Sequence, residues 1–252
     1  MADYFEHMRR LASRQGGYAY DWVSDLAPGN GEDAYTALVL EHLTPGAVVL
    51  EAGCGHGPDI PGFAPKCARY IAYDAVDEFI AIARKGCAAH PNVELITANS
   101  SARHNNGRAR IPADDASLDL IISRRGPGNW IADARRACKP GAVLIQLNPG
   151  EWRAPAWAES LPGDLRREEA PGIETEVRAR LEAAGVCLHS AWTFDVPEIL
   201  SGARELYRHL TWLRDEPPSF EALGPRLQAV LDRHGGAVDV RQKRFLWKAV
   251  IN

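Results

Sequence analysis

The chain has 252 residues, 46% hydrophobic and 25% charged, with a formal net charge of −4. That balance excludes wholesale disorder, collagen-like repeats and coiled coil, and no apolar run approaches the ~18 residues that span a bilayer. The mild acidity argues against a dedicated nucleic-acid binder, whose domain is usually basic.

Residues 1–45 read as alternating helical and irregular stretches. The start, Met1-Ala2-Asp3-Tyr4-Phe5-Glu6, is acidic where a signal peptide has a basic start and an apolar run. The amphipathic Tyr35–His42 stretch stops at Pro45 and Gly46. Ala47–Leu50 is then a short apolar run between turn residues, the pattern of a strand buried on both faces. Further strands are predicted at Tyr70–Tyr73, Val93–Thr97, Leu118–Ser123, Ala142–Leu147 and Val186–Phe194. Helices are predicted at Asp77–Ala88, Trp130–Cys138 and Ile173–Ala184. Strands alternating with helices imply βαβ units and a mainly parallel sheet covered on both faces. Val196–His234 breaks the alternation and reads as two helices, Pro197–Leu213 and Phe220–His234, before a final strand over Ala237–Ile251. The polar, basic stretch Asn99–Arg110 is a long loop for a compact domain, either functional or mobile.

The chemistry is concentrated in Glu51-Ala52-Gly53-Cys54-Gly55-His56-Gly57, directly after the first parallel strand. Glycines there let a ligand approach the backbone in the crevice beyond the strand ends. A dinucleotide fingerprint wants its third glycine at position 58, which is Pro58 here. Glu51 would also repel a pyrophosphate, whereas a sulfonium ligand with a free amino group would favour that carboxylate. Asp74, at the end of the second strand, suits the hydroxyl pair of a ribose, or caps the following helix. Pro58, Pro61 and Pro65 predict that the helix after the glycines is short or delayed, with Asp59 as a candidate cap. His56 reads as packing over the loop rather than as a base. The five cysteines form no Cys-x-x-Cys pair and suit reduced thiols in a cytoplasm better than disulfides or zinc.

At these residues the sequence resembles the class I S-adenosylmethionine-dependent methyltransferases. Glu51–Gly57 matches their first motif and Asp74 their acidic ribose ligand. Ala98-Asn99-Ser100 stands where they carry an adenine-contacting turn. Ile111-Pro112 with Ala116–Ser123 resembles the run into their fourth strand, and Lys139-Pro140-Gly141-Ala142 the turn before their fifth. The resemblance covers residues 45–150 well and the rest only topologically. It implies an α/β, Rossmann-like three-layer sandwich with a seven-stranded, mainly parallel sheet, an antiparallel last strand and helical cap elements. It further implies S-adenosyl-L-methionine as cofactor, no metal, and contacts from Glu51, Ala52, Gly53, Cys54, Gly55, Gly57, Asp74, Ala75, Asn99, Ser100, Ser123 and Arg124. The cofactor domain is placed at 46–195 and 236–252, a segment closing the site at 1–45, and a helical cap over the substrate at 196–235.

No catalytic group is identified, because direct displacement at a sulfonium mainly requires nucleophile and methyl held in line. After the fourth strand stands Ser123-Arg124-Arg125-Gly126-Pro127, without the Pro-Pro-aromatic motif of enzymes that methylate base amino groups. The aromatics of the added segments, Tyr4, Phe5, Tyr18, Tyr20, Trp22, Trp152, Trp157, Tyr207, Trp212 and Phe220, either pack the fold or line an acceptor site. Leu206, Leu210, Leu213, Leu223, Leu227 and Leu231 mark the inward faces of the cap helices, leaving Tyr207, Trp212 or Arg214 for the acceptor. A small-molecule methyltransferase is the favoured function. An RNA methyltransferase and a non-catalytic binder of the same cofactor remain as alternatives.

Overall fold

The computed structural model describes residues 2–15, 17, 20–161, 163–166, 168–212, 214 and 216–252. In chain order come α1 (Ala2–Gln15), β1 (Asp25–Leu26), α2 (Gly31–His42), β2 (Val48–Ala52), α3 (Ile60–Phe63), β3 (Arg69–Asp74), α4 (Asp77–Gly86) and β4 (Val93–Thr97). They are followed by β5 (Leu118–Arg124), α5 (Ala134–Ala137), β6 (Cys138–Pro149), α6 (Glu174–Ala183) and β7 (Cys187–Val196). The chain ends with β8 (Glu198–Leu200), α7 (Ala203–Thr211), α8 (Phe220–Arg233), β9 (Val238–Asp239) and β10 (Gln242–Val250).

The main sheet has seven strands in the order β4-β3-β2-β5-β6-β10-β7. Only β10 runs antiparallel, against both β6 and β7, as the expected architecture requires. Because side chains alternate along a strand, each central strand feeds two cores. Leu50, Ile71, Ile121 and Leu144 face Trp130, Val177 and Leu181 on one side. Val49, Tyr70, Leu120 and Ile145 face Tyr35, Val39, Ile60 and Ile80 on the other. Chain order jumps outward in both directions from β2 and β5, so the crevice for a ligand opens beyond their carboxyl ends.

Several elements differ from the sequence expectation. The Trp130–Cys138 helix is a 3-10 stretch over Gly128–Asp133 followed by the single turn α5. Lys139-Pro140-Gly141 does not precede the next strand but lies within β6, where Cys138 already pairs with Leu118. Lys139 is held there by both carboxylate oxygens of Asp119 at 2.8 Å. The Pro197–Leu213 helix begins only at Ala203, because Glu198–Leu200 forms a three-stranded antiparallel sheet with β1 and β9. Glu198 is drawn in by donors from the N-terminal segment, Trp22 Nε1 at 3.0 Å and Ser24 Oγ at 2.9 Å. The final strand is broken in two at Val240–Arg241, where Arg241 takes φ +45° and its N–H donates to Asp239 Oδ1.

α7 and α8 bury Leu206, Leu223, Leu227 and Leu231 against Trp157, Leu165 and Leu200, with Leu210 packed beside them. Leu213 and Tyr18 lie outside the described residues. α1 packs through Met8, Leu11 and Ala12 onto Val76 of the β3–α4 turn and Phe79 of α4.

Candidate functional site

The loop after β2 is shaped by glycines in the left-handed region: Gly53 at φ +71°, Gly55 at +55° and Gly57 at +76°. Side-chain-bearing residues rarely adopt that conformation. The Gly53 and Cys54 N–H groups donate to Tyr73 O at 2.9 and 3.0 Å, fastening the loop to β3. Asp74 completes the clamp: Gly55 N donates to Oδ2 and Val76 N to Oδ1, both at 2.9 Å. Its carboxylate thus joins the ends of β2 and β3 and orders the turn into α4. Burial raises the Asp74 pKa, against the lowering effect of backbone donors from Val76, Gly55 and Ala75. The carboxylate is thus fixed at the strand ends by backbone donors on both of its oxygens.

Asn99 and Ser100 follow β4 beside this clamp, with Ala98 N donating to Asp74 O at 2.9 Å. Asn99 Oδ1 accepts from Ser101 N, and Asn105 Nδ2 closes the loop onto the Asn99 and Ser101 carbonyls. The long loop is therefore laced at its base. Ser100 is buried and hydrogen-bonds Tyr73, whose phenol burial pushes well up.

Three expected contacts sit beneath the loop. Ser123 is fully buried and its hydroxyl donates to Ala52 O at 2.7 Å. Cys54 is buried, and burial first, with the charges of Glu51 and Asp74, pushes its thiol well up, which suits an inert thiol. Glu51 is 2% exposed and accepts from Tyr70 Oη at 2.8 Å in the layer shared with Tyr35. Its carboxyl pKa is raised to about 8, first by burial and then by the charge of Asp59. His56 packs at Gly17, and burial lowers its pKa, favouring the neutral ring.

Arg124 is directed away from the crevice into the layer under α2. Its guanidinium donates to Asp59 at 2.8 Å, to Glu32 at 2.9 Å and to Thr36 at 2.9 Å, and lies 4.5 Å over the Tyr35 ring. Asp59, expected as a helix cap, makes no capping bond and serves this ion pair instead. Arg125 takes φ +61°, and its guanidinium lies 4.5 Å over the Tyr20 ring. Gly126 then passes so close to Gly53 that a Cβ on it would meet Ser123 Oγ at 2.6 Å and Ala52 O at 2.7 Å.

Beyond Arg125 opens a cavity of about 500 Å³ between the end of β6, the start of β10, α7 and the Tyr20–Trp22 segment. Trp212 and Arg214 line it, as expected of the cap, but Tyr207 does not. Tyr207 stacks edge-on against Phe220 and donates to Pro218 O at 2.9 Å. The N-terminal segment, expected on the opposite flank, meets the cap directly: Tyr20 and Trp22 lie 4.8 and 5.8 Å from Trp212. Sequence patterning missed Glu32, Gln242 and Arg244 at this end, and of the Arg124-Arg125 pair, one member of which was expected near the ligand, it settled on Arg124. The adjacent Gly126-Pro127, which bends the chain toward Gly53, was the local signal for Arg125.

Among the described residues no cluster suits a metal ion, and no helix is long and apolar enough to cross a membrane. The five cysteines are free thiols.

The family model of a methyltransferase domain matches residues 49–141. A protein of Mycolicibacterium smegmatis named "Probable S-adenosylmethionine-dependent methyltransferase" is 29% identical over 116 residues, 44% of this chain and 41% of its own. A protein of unknown function from Deinococcus radiodurans R1 superposes with TM-score 0.66 at 25% identity, over 99% of both chains. Geranyl diphosphate C-methyltransferase of Streptomyces coelicolor A3(2) shares the fold at TM-score 0.56 and 12% identity, over 99% of this chain and 98% of its own. The chain spans about two fifths of the length of the curated relatives it matches, 39% and 41% in two cases.

Proposed function

We propose that this chain, whose residues 49–141 match the family model of a methyltransferase domain, binds S-adenosyl-L-methionine and transfers its methyl group to a small-molecule acceptor. The observation that carries the proposal is the clamp at the sheet's switch point, where the Asp74 carboxylate ties Gly55 to the end of β3. The residues present fit such a cofactor. Three left-handed glycines leave the backbone bare for the methionine portion. The Asp74 carboxylate beside the loop suits the two ribose hydroxyls, and Asn99 with Ala98 and Ala75 borders the adenine side.

The cofactor supplies an activated methyl on a sulfonium; the protein's part is to orient and to exclude water. Gly53 and Gly126 let the two loops pass close together, since a Cβ on Gly126 would meet Ser123 Oγ and Ala52 O and one on Gly53 would meet Pro127. Glu51 supports the loop from below as a protonated carboxyl near neutral pH, hydrogen-bonded to Tyr70. The cavity beyond Arg125 is the acceptor site, covered by 196–235 as a cap with the N-terminal segment against it. Its size suits a metabolite, as in the S. coelicolor neighbour named for geranyl diphosphate.

Isothermal titration tests the proposal: S-adenosylmethionine and S-adenosylhomocysteine bind and NAD does not. Binding of NAD alone would overturn it. Transfer of labelled methyl to an acceptor separates an enzyme from a non-catalytic binder. A salt-sensitive RNA affinity would instead select the nucleic-acid alternative.

A further inference from the structure

We propose that the 500 Å³ cavity takes an organic anion, carboxylate or phosphate, on an elongated apolar body, with Arg125 holding the anionic end. As the identity of the methyl acceptor's class, this rests on the function proposed above.

The charge of the wall comes first. Arg124, Arg125 and Arg244 converge on Glu32, at 2.9, 3.9 and 2.8 Å, and the second carboxylate of the cluster, Asp59, is taken by Arg124. Three guanidiniums therefore share two carboxylates in a cluster only 10–18% exposed, and of this cluster Arg125 and Arg244 line the cavity. Among all the charged residues that line the cavity, Arg125, Arg214, Arg241, Lys243 and Arg244 outnumber the carboxylates Glu151 and Glu198. A net positive, partly desolvated wall attracts an anion and rejects a cation.

The aromatic cluster points the same way. Aromatic faces can bind cations, but Tyr20, Trp22 and Trp212 are packed on one another at 4.4–5.8 Å, with no room for a ligand among them. The remaining Tyr20 face already carries the Arg125 guanidinium at 4.5 Å. These rings hold the arginine in place rather than offering a cation cage.

Two further observations describe the rest of the ligand. Gln242 is 5% exposed, lines the cavity, and its buried Oε1 has no hydrogen-bond partner in the structure. An unmatched buried carbonyl is costly, so it calls for a donor on the occupant. A second cavity of about 180 Å³ shares Trp152, Leu165 and Leu210 with the first and is lined further by Trp157, Ala158 and Leu161, with Glu159 and Arg166 beside them. It extends the site as an apolar arm, so the occupant's body is apolar beyond its charged end.

Four probes share one ring and differ in their head: 1-naphthylacetate, 1-naphthyl phosphate, 1-naphthylacetamide and 1-naphthylmethylamine. Each is titrated calorimetrically into the full chain, with and without S-adenosylhomocysteine. At least one anion binds roughly tenfold or more tighter than the amide, the scale of one charge-assisted hydrogen bond, and the amine binds weakest. The two anions, compared with each other, separate a carboxylate site from a phosphate site. In Arg125→Gln the anion's advantage falls to about threefold or less, and Arg125→Lys restores part of it. Circular dichroism and the urea midpoint establish that both variants fold; should Arg125→Gln not fold, the Arg125→Lys comparison and raised salt carry the test. Equal or tighter binding of the amine, binding by no probe, or an anion preference that survives in folded Arg125→Gln overturns the proposal. The S-adenosylhomocysteine titration fails separately if the cofactor assignment is at fault.

Discussion

Replacing Glu51 by glutamine tests whether a carboxyl beneath the cofactor loop is held protonated. Glu51 is 2% exposed, and its pKa is raised to about 8, by burial first and by the charges of Asp59 and Asp74. The Tyr70 hydrogen bond and Arg124 oppose the rise without cancelling it. An unhindered glutamate ionises near 4.5, so the folded chain keeps a proton that the unfolded chain releases. The contribution to stability is full below pH 4.5 and is lost as pH rises through about 8. At ~1.4 kcal/mol per pH unit, that interval amounts to at most ~5 kcal/mol, and ~3–5 kcal/mol is expected after partial relaxation. Glutamine copies the protonated acid in shape and still accepts from Tyr70, so Glu51→Gln escapes this loss. Urea unfolding from pH 5 to pH 8 should show wild type losing stability with a slope that the variant lacks, the variant being the more stable at pH 8. Parallel slopes, or a variant less stable at pH 8, would refute the buried-acid account and imply an ionised Glu51 paired with a cation.

Asp74→Asn keeps an acceptor for one backbone N–H but turns an amide toward the other, and it loses the charge offered to the ribose. S-adenosylhomocysteine affinity should fall ~10- to 100-fold by calorimetry, with a cooperative urea transition retained. Unchanged affinity would reduce Asp74 to a clamp between strand ends. Trp212→Ala removes one of the rings that seat Tyr20, at 4.8 Å, and with it the platform under Arg125. Binding of 1-naphthylacetate should weaken ~5- to 10-fold, from aromatic contacts of ~0.5–1.5 kcal/mol, while S-adenosylhomocysteine affinity stays within about threefold. The reverse pattern would place Trp212 on the cofactor side.

The strand–helix alternation was legible because strands buried on both faces must be largely apolar, and Val48-Val49-Leu50 or Leu120-Ile121-Ile122 can read as little else. What escaped were elements whose cause is distant. Glu198–Leu200 is a strand only because the two residues Asp25–Leu26 lie beside it, some 170 positions away, and Trp22 and Ser24 hold its glutamate. No local pattern announces that partner. Glu51 was assigned toward a ligand's amino group by its place in the motif, yet alternation along β2 puts it on the Tyr70 face, one step from Leu50 on the other. The Arg124-Arg125 pair shows the same difficulty. Neighbouring arginines are equivalent in sequence, and only the left-handed φ at Arg125 separates the one that braces α2 from the one that reaches the cavity.

The two halves of the site are made differently, and this explains why one was readable and the other was not. The cofactor side is backbone: three glycines and a clamp by one carboxylate, encoded within 24 consecutive positions from Glu51 to Asp74. The proposed acceptor side is side chains from separate segments, Tyr20, Arg125, Trp212, Gln242 and Arg244, gathered by the fold, with Glu32 bonded to Arg244. Glu32 joins the halves. It holds Arg244 at the acceptor wall and Arg124, which holds Asp59 just past the glycine loop. Removing one partner of a buried ion pair strands the others, at a cost of about 3–5 kcal/mol for full burial and less here, where Glu32 is 17% exposed. A change on the acceptor wall can therefore reach the loop exit through two guanidiniums and a shared carboxylate. On the proposed function, the acceptor wall is thereby coupled to the cofactor loop by charge.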